Sequence, residues 1–228
     1  MSVHIFCLEP PKALAIHNED GVFPINRIFC VGRNYAAHAA EMGNEVDKQT
    51  PFYFTVSPVN ASNGGDVRFP DGTDDYHHEV EFVVALDKPA HNISETDALS
   101  VVFGYGVGLD MTRRDLQAAA KEKRRPWDLA KDAEDSAIFS PLIRKEGFGE
   151  IGNQAIRLSV NDKICQESTL DKMVNSVPEL IAHLSQFYRL MPGDVIMTGT
   201  PEGVGAVKPG DRLVGMVEGC PPVTAHFK

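Results

Sequence analysis

The chain has 228 residues, which is enough for one hydrophobic core of ordinary size and short for two. Apolar residues make up 43% and charged residues 24%, and these fractions exclude disordered and fibrous classes. With 22 basic and 32 acidic residues the formal charge is −10, so the overall field excludes nucleic acid as a partner. The sequence contains neither an apolar run of about 20 residues nor a signal peptide, so we expect no membrane partner and a cytoplasmic location.

No repeat or linker divides the sequence, which predicts a single domain over 1–228. Residues 1–24 are expected to form an N-terminal arm with one or two strands. Arg27–Gly32 is a short apolar run typical of a buried strand.

A short helix is predicted over residues 35–42. Asn34 stands where it would cap the amino end of this helix, and Gly43 where it would end it in the left-handed conformation. Residues 43–51 are polar and are expected to form a loop.

Two further strands and a second helix follow. Residues 79–86 and 101–110 are apolar runs, and the first carries apolar side chains on both faces, which indicates a strand covered on both sides. Thr112 is predicted to begin a helix, with Asp115 three residues on as a variant of the capping box, and Pro126 to stop it.

The remaining third of the chain predicts a hairpin, a helix and a strand. Residues 156–160 and 163–166 are joined by Asn161 and Asp162, a pair typical of a type I′ turn. Residues 178–188 have the spacing of an amphipathic helix, and Asp194–Met197 is a strand. Because strands and helices neither alternate regularly nor segregate, we expect an α+β fold with a large mixed sheet.

The strongest chemical signal is a pair of glutamates at the start of a strand. Positions i and i+2 of a strand project to one face, so Glu79 and Glu81 are expected side by side, about 7 Å apart at Cα. Two carboxylates at the edge of a dry core need a basic residue or a metal ion. All-oxygen ligands select Mg²⁺, Mn²⁺ or Ca²⁺ over zinc. The alternative is an exposed strand end with two solvated glutamates.

Three glycines share one face of the following strand with a third carboxylate. Gly104, Gly106 and Gly108 leave a trough that ends at Asp110, and such a run suggests close approach by a ligand or by another backbone. If Asp110 lies beside the two glutamates, it completes a three-carboxylate metal site with positions open to substrate and water.

His38 and Glu41 lie three residues apart on one helix face, among alanines. A carboxylate beside an imidazole raises its basicity and fixes its tautomer, which suits a general base acting on water. The alternative is a surface pair with no chemical role.

Several cations fit an anionic substrate. Arg113 and Arg114 stand in the first helical turn, against the dipole preference, so we expect them to hold an anion or to pair with Asp110 or Asp115. Lys131 is an isolated cation after an apolar stretch. The loop 198–205 offers hydroxyl and backbone N–H groups that could hold a carboxylate.

Together these segments resemble the fumarylacetoacetate hydrolase family. The matching motifs occur in family order and cover about 22–226: CVGRNY at 30–35 with His38 and Glu41, HHEVE at 77–81, GYGVGLDMTRRDLQ at 104–117, PW at 126–127 with Lys131, TGTP at 198–201 and GVG at 203–205. Within the family they are most similar to bacterial fumarylpyruvate hydrolases and, more broadly, to acylpyruvate hydrolases.

The resemblance implies a mixed β-sandwich roll, usually a homodimer, that binds Mg²⁺ or Mn²⁺ through Glu79, Glu81 and Asp110. It implies that His38, oriented by Glu41, activates a water molecule from a mobile lid helix. The expected reaction is hydrolysis of a C–C bond in a 2,4-dioxo acid.

The resemblance also implies a set of groups that hold the small anionic dioxo-acid substrate. Lys131 would stabilise charge on the pyruvate enolate that leaves, and the other residues would bind substrate: Arg33, Arg114, Gln117 and Thr200. Of the arginines, Arg33, Arg113 or Arg124 could meet a distal carboxylate.

Two segments depart from the family pattern. Relatives commonly carry Phe-x-Lys-Pro after the lid, whereas residues 54–58 contain no lysine, and the residues after Lys131 begin with Asp132 rather than the usual Phe-containing pattern. The alternatives are oxaloacetate decarboxylation, or dioxo-acid isomerisation or hydration, on the same metal site. A non-enzymatic, metal-stabilised binding protein is the remote alternative.

Overall fold

A computed structural model describes Ile5, 12–43 and 50–228 of the chain. The helices are α1 Ala36–Glu41, α2 Glu95–Ala98, α3 Arg114–Glu122, α4 Asp128–Lys131, α5 Lys145–Phe148 and α6 Val177–Phe187. The strands are β1 Ala13–Ala15, β2 Val22–Pro24, β3 Arg27–Gly32, β4 Phe52–Val56, β5 Ala61–Ser62, β6 Gly65–Val67, β7 Tyr76–His78, β8 Val80–Leu86, β9 Val102–Asp110, β10 Thr112–Arg113, β11 Ala137–Phe139, β12 Ile143–Arg144, β13 Ala155–Val160, β14 Lys163–Thr169, β15 Asp194–Met197, β16 Gly205–Val207, β17 Arg212–Val217 and β18 Val223–Phe227.

Within the described part of the chain the strands form four sheets. The largest has the order β4-β3-β15-β8-β9-β11-β5, with β12 beside β9, and a second has the order β14-β13-β17-β18-β6. A small sheet, β10-β7-β16, and the β1-β2 hairpin complete the set. Three pairs of neighbours are parallel, β3 with β15, β5 with β11 and β6 with β18, so the two large sheets are mixed, as predicted for the large sheet.

Alternate residues of β8 face two different hydrophobic cores. Phe82 and Val84 belong to the larger core, which lies between the two large sheets and includes α6. Val83 and Ala85 belong to a second core, which is closed by the N-terminal hairpin. The strand is therefore covered on both faces, as predicted, and Glu81 lies on the same face as Val83.

Most of the predicted elements are confirmed within one or two residues. The hairpin turn has φ of 49° at Asn161 and 65° at Asp162, the backbone that a type I′ turn requires. Helix α6 begins with a capping box in which Ser176 and Glu179 each bond the other's backbone.

The predicted role of Asn34 as a helix cap is wrong. Its side-chain amide donates to the backbone oxygens of Asn175 and Thr198, at 3.0 and 2.8 Å, and Tyr35 stands at the helix start instead. The Asn34 side chain bonds these partners, which are distant in sequence, instead of the first turn of the helix. Gly43 has φ of 68° and ends the helix, as predicted.

The helix predicted to begin at Thr112 begins two residues later. Thr112 and Arg113 pair with β7, so their backbone groups belong to a sheet. Asp115 accepts hydrogen bonds from the Thr73 hydroxyl and the Asp74 N–H at 2.6 and 3.0 Å, and not from the cap residue.

Parts of two predicted segments lie outside the described residues. In the arm 1–24 the structure describes the β1-β2 hairpin, which agrees with the prediction, while 1–4 and 6–11 are outside. In the loop 43–51, 44–49 are outside. Among the described residues no helix combines the length and the apolar character needed to cross a bilayer.

Candidate functional site

Three buried carboxylates meet where β8 and β9 lie side by side. Glu79 immediately precedes β8, and its carbonyl accepts the Asp110 N–H at 2.9 Å, which brings the end of β9 next to it. Glu81 lies on the same face as Glu79. Ligand atoms of Glu79, Glu81 and Asp110 lie within 4.8 Å of one another, and the three residues are at most 6% exposed. The predicted cluster is present, and the alternative of a solvated strand end is wrong.

Two cations contact this cluster. The Lys131 ammonium donates to Glu79 Oε2 at 2.8 Å and to Asp110 Oδ2 at 2.7 Å, and it is itself only 2% exposed. Arg114 donates to the other oxygen of Glu79. Its partner is therefore Glu79, and the expected pairing with Asp110 or Asp115 is wrong.

Glu81 is held by a backbone group. The N–H of Gly199 donates to Glu81 Oε2 at 2.7 Å. Gly199 has φ of +100°, and a Cβ there would stand 2.7 Å from the Cβ of Asn34. Only glycine allows this loop to approach the carboxylate.

Burial and charge act in opposite directions on these groups. Burial would raise the pKa of Glu79, but Lys131 and Arg114 together lower it below its usual range. Burial, together with the neighbouring carboxylates, raises the pKa of Glu81 well above its usual value, and burial raises the pKa of Asp110 to about 6. Burial would lower the pKa of Lys131, but the Asp110 and Glu79 carboxylates raise it. Three carboxylates thus face two cations, so the cluster lacks positive charge.

The donor set fits a hard divalent cation. The Oδ1 atom of Asp110 is buried and has no hydrogen-bond partner within the described residues, an arrangement that is costly unless another group completes it. Three carboxylate oxygens suit Mg²⁺, Mn²⁺ or Ca²⁺. Glu79, Glu81 and Asp110 are therefore the residues that could hold the metal.

His38 and Glu41 lie on α1, next to the carboxylates. His38 is buried, and its Nδ1 lies 3.4 Å from Glu41 Oε2. The Glu41 carboxylate also accepts the Gly203 N–H, at 3.1 Å from each oxygen, which fixes it between the helix and the loop after β15. The imidazole thus has an oriented carboxylate beside Nδ1, and it lines the cavity.

The residues predicted to bind substrate border the same cavity. Arg114 donates to Gln117 Oε1 at 2.8 Å, so these two side chains form one unit. The Thr200 hydroxyl accepts from Gln166 Nε2 at 2.8 Å. Arg33 adopts a left-handed φ of 61°, which is strained for a non-glycine residue and is common at functional sites.

A cavity of about 40 Å³ lies over the carboxylates. Its lining includes nine of the ten predicted site residues: Arg33, His38, Glu79, Glu81, Asp110, Arg114, Gln117, Lys131 and Thr200. Glu41 is not part of the lining, but it contacts His38, which is. Two wider clefts, of about 400 and 390 Å³, adjoin the cavity and share Trp127 with it.

Two other expectations are corrected. Arg113 donates to the Leu129 carbonyl at 3.3 Å and, like the exposed Arg124, does not border the cavity, so of the three arginines considered only Arg33 reaches it. Of the two alternatives for the glycine face of β9, approach by a ligand is wrong and close packing by the protein itself is confirmed. A Cβ on Gly104 would stand 2.2 Å from the carbonyl oxygen of Ile143, and a Cβ on Gly106 or Gly108 would meet neighbouring side chains, so protein atoms pack against this face.

Sequence reasoning missed one buried residue that connects the parts of the site. Gln166 Oε1 accepts from Val80 N–H at 3.1 Å and lies 3.0 Å from His78 Nδ1, while its Nε2 donates to Thr200 Oγ1 and to the Pro201 carbonyl, at 2.8 Å each. These partners lie 34 to 88 positions away along the chain, and no local pattern identifies them.

Residues 27–228 match the family model described as the C-terminal domain of fumarylacetoacetate hydrolase. The chain is 48% identical over 181 residues to a fumarylpyruvate hydrolase of Ralstonia sp., which covers 78% of this chain and 94% of that protein. It is 39% identical over 193 residues to a mitochondrial oxaloacetate tautomerase of Arabidopsis thaliana, covering 85% of this chain and 86% of that protein.

A solved structure agrees with these sequence matches. The crystal structure of fumarylpyruvate hydrolase from Pseudomonas aeruginosa in complex with Mn²⁺ and pyruvate superimposes with a TM-score of 0.95 at 41% identity, over 99% of both chains. The expected mixed β-sandwich roll is thereby confirmed. Since the family model covers most of the chain and both relatives exceed 30% identity, the chain belongs to the fumarylacetoacetate hydrolase family.

Proposed function

We propose that this protein hydrolyses the C–C bond of a 2,4-dioxo acid, fumarylpyruvate or another acylpyruvate, to pyruvate and a carboxylic acid. The observation that carries the proposal is the His38–Glu41 pair, 3.4 Å apart, at the edge of a cavity floored by three carboxylates. Relatives named as fumarylpyruvate hydrolases support it.

Glu79, Glu81 and Asp110 hold Mg²⁺ or Mn²⁺ in this proposal. When bound, the cation supplies electrophilic stabilisation for the negative charge that develops on the leaving pyruvoyl group. The Mn²⁺ named in the P. aeruginosa structure supports a divalent ion at such a site.

His38 is the general base. Its imidazole takes a proton from water, and the hydroxyl oxygen adds to the 4-carbonyl carbon of the substrate. The bond between C3 and C4 then breaks, its electron pair leaves with the pyruvate enolate, and C3 regains a proton. One water is consumed, and one carboxylic acid and one pyruvate are formed. Glu41 orients the imidazole and stabilises its protonated form.

The cations and hydrogen-bonding groups around the cavity hold the substrate. Lys131 stabilises the enolate as its charge develops. Arg114, Gln117, Thr200 and Arg33 bind the carboxylate and carbonyl oxygens of the dioxo acid. A homodimer and a cytoplasmic location are further parts of the proposal.

A second candidate is tautomerisation or decarboxylation of oxaloacetate on the same metal site. The 39% identity to an oxaloacetate tautomerase favours it. Oxaloacetate shares the 2-oxo acid end with acylpyruvates, so the carboxylate cluster alone does not separate the two functions.

Turnover of fumarylpyruvate in isotopically labelled water tests the proposal. With Mg²⁺ present we expect equal amounts of pyruvate and fumarate, with one labelled oxygen in the fumarate carboxylate. EDTA should abolish the reaction. Failure to cleave any acylpyruvate, combined with metal-dependent conversion of oxaloacetate, would establish the second candidate instead.

A further inference from the structure

Four cations border the cavity, and they fall into two pairs. Arg114 and Lys131 are paired with Glu79 and Asp110, as described above. Arg33 and Lys121 also line the cavity, but neither forms an ion pair with any residue that the structure describes. With a divalent ion on the three carboxylates, this second pair would add positive charge to the cavity beyond that of Arg114 and Lys131.

An aromatic wall lies between the paired and the unpaired cations. Phe54 and Trp127 line both the cavity and the adjoining cleft of about 400 Å³, and their ring centroids are 6.1 Å apart. The Lys131 ammonium lies 5.1 Å from the centroid of the Phe54 ring, and the Lys121 ammonium lies 5.0 Å from that of the Trp127 ring. The wall therefore spans from the lysine at the carboxylates to the lysine without an ion pair.

We propose that Lys121, with Arg33, binds a second carboxylate at the far end of the acyl group, and that Phe54 and Trp127 contact the planar chain between the two ends. This inference rests on the proposed function and narrows it to acylpyruvates whose acyl group ends in a carboxylate. Lys121 is thus a specificity-determining residue at the end of α3.

The local electrostatics support an anion at this place. Burial lowers the pKa of Lys121, and the neighbouring Arg114 and Arg33 guanidinium groups lower it further. A carboxylate there would relieve this repulsion, and Lys121 is only partly buried. No lysine in residues 54–58 is required for the distal end, because Lys121 supplies the cation from α3.

The test compares fumarylpyruvate, whose acyl group ends in a carboxylate, with acetylpyruvate, whose acyl group does not. Lys121→Met removes the charge and keeps most of the side-chain length, Lys121→Arg keeps the charge, and Lys123→Met removes an exposed charge outside the cavity. We expect Lys121→Met to lower the ratio of kcat/KM for fumarylpyruvate to that for acetylpyruvate by about tenfold or more, the cost of a lost hydrogen bond to a charged group. Lys121→Arg should restore most of this ratio, and Lys123→Met should leave it unchanged.

Binding of fumarate provides a readout without turnover. In the presence of Mg²⁺ and pyruvate, calorimetry should show fumarate binding to the wild type and to Lys123→Met, and weaker binding to Lys121→Met by about tenfold. An unchanged substrate ratio, or fumarate binding that is absent or independent of Lys121, would overturn the inference. If the wild type cleaves neither acylpyruvate, the proposed function fails, and the fumarate measurement alone then decides whether Lys121 holds a carboxylate.

Discussion

The Asp132 carboxylate accepts hydrogen bonds from both the backbone N–H and the hydroxyl of Ser57. Asp132 Oδ1 accepts the Ser57 N–H at 2.8 Å, and Oδ2 accepts the Ser57 hydroxyl at 2.7 Å. Asn60 adds a third hydrogen bond to Oδ1, at 2.6 Å. Asp132 and Ser57 belong to the two segments whose motifs differ from those expected from the family resemblance, and these segments contact each other. Ser57, Asn60 and Asp132 form one hydrogen-bonded unit next to Lys131.

Replacing Asp132 should therefore destabilise the fold. An asparagine offers a single acceptor oxygen and turns an N–H₂ group toward donors, so Asp132→Asn should lower the free energy of unfolding by about 2 kcal/mol, within the range for hydrogen bonds to a charged group. Urea denaturation measures it, with Asp20→Asn as an exposed control. A midpoint equal to that of the control would mean that Asp132 does not stabilise this segment.

Asp110 should govern metal affinity. Asp110→Asn removes an anionic ligand, so the dissociation constant for Mn²⁺ should rise at least about 100-fold, since outer-shell changes alone cost about 10- to 100-fold. Turnover should be lost with it, as it should after EDTA treatment, and added Mg²⁺ should restore only the wild type. Calorimetric titration of the protein with Mn²⁺ measures the affinity, and Asp74→Asn is the exposed control. Full activity after exhaustive chelation would refute a metal-dependent reaction.

His38→Ala should affect turnover and leave metal binding intact. Removing a general base should lower kcat by about 10²- to 10⁴-fold, while Mn²⁺ affinity should stay close to that of the wild type because the three carboxylates are retained. His17→Ala, at an exposed position, is the control. A His38→Ala variant that turns over at the wild-type rate would place the base elsewhere.

Gln166 connects β14, β8 and the loop after β15, and its loss should be costly. Gln166→Leu leaves the Val80 N–H and the Thr200 hydroxyl without their partner, and each unsatisfied buried group costs about 1 to 3 kcal/mol. We expect a loss of about 2 kcal/mol or more in the free energy of unfolding, measured by urea denaturation. Gln186→Leu, exposed on α6, is the matched control. Equal stability of the two variants would contradict this account.

The carboxylate cluster could be predicted because strand periodicity puts Glu79 and Glu81 on one face, and the family motif implied Asp110 beside them. The cap assigned to Asn34 failed for the opposite reason: its partners Asn175 and Thr198 lie far along the chain. The role of Gln166 was not predicted for the same reason: its partners also lie far along the chain. Local sequence patterns predict helices, strands and the face on which a side chain lies. The hydrogen-bond partners of buried polar groups depend on the complete fold, which local patterns do not show.

The two candidate functions can be separated by their substrate preference. The carboxylate cluster and Lys131 address the pyruvoyl end, which acylpyruvates and oxaloacetate share, so they do not discriminate. Hydrolysis also needs a base that activates water beside a second carbonyl, whereas decarboxylation needs only the electron sink. The His38–Glu41 pair supplies that base in the proposed mechanism.

We therefore expect kcat/KM for fumarylpyruvate or a simple acylpyruvate to exceed that for oxaloacetate by at least about tenfold, or about 1.4 kcal/mol in transition-state binding. The measurement follows loss of the enol absorbance of the dioxo acid and pyruvate release from oxaloacetate, in one Mg²⁺ buffer. The same assay on His38→Ala should reduce the acylpyruvate rate far more than the rate of pyruvate release from oxaloacetate, because decarboxylation does not need the base. A preference for oxaloacetate that persists in His38→Ala would assign the protein to the decarboxylases.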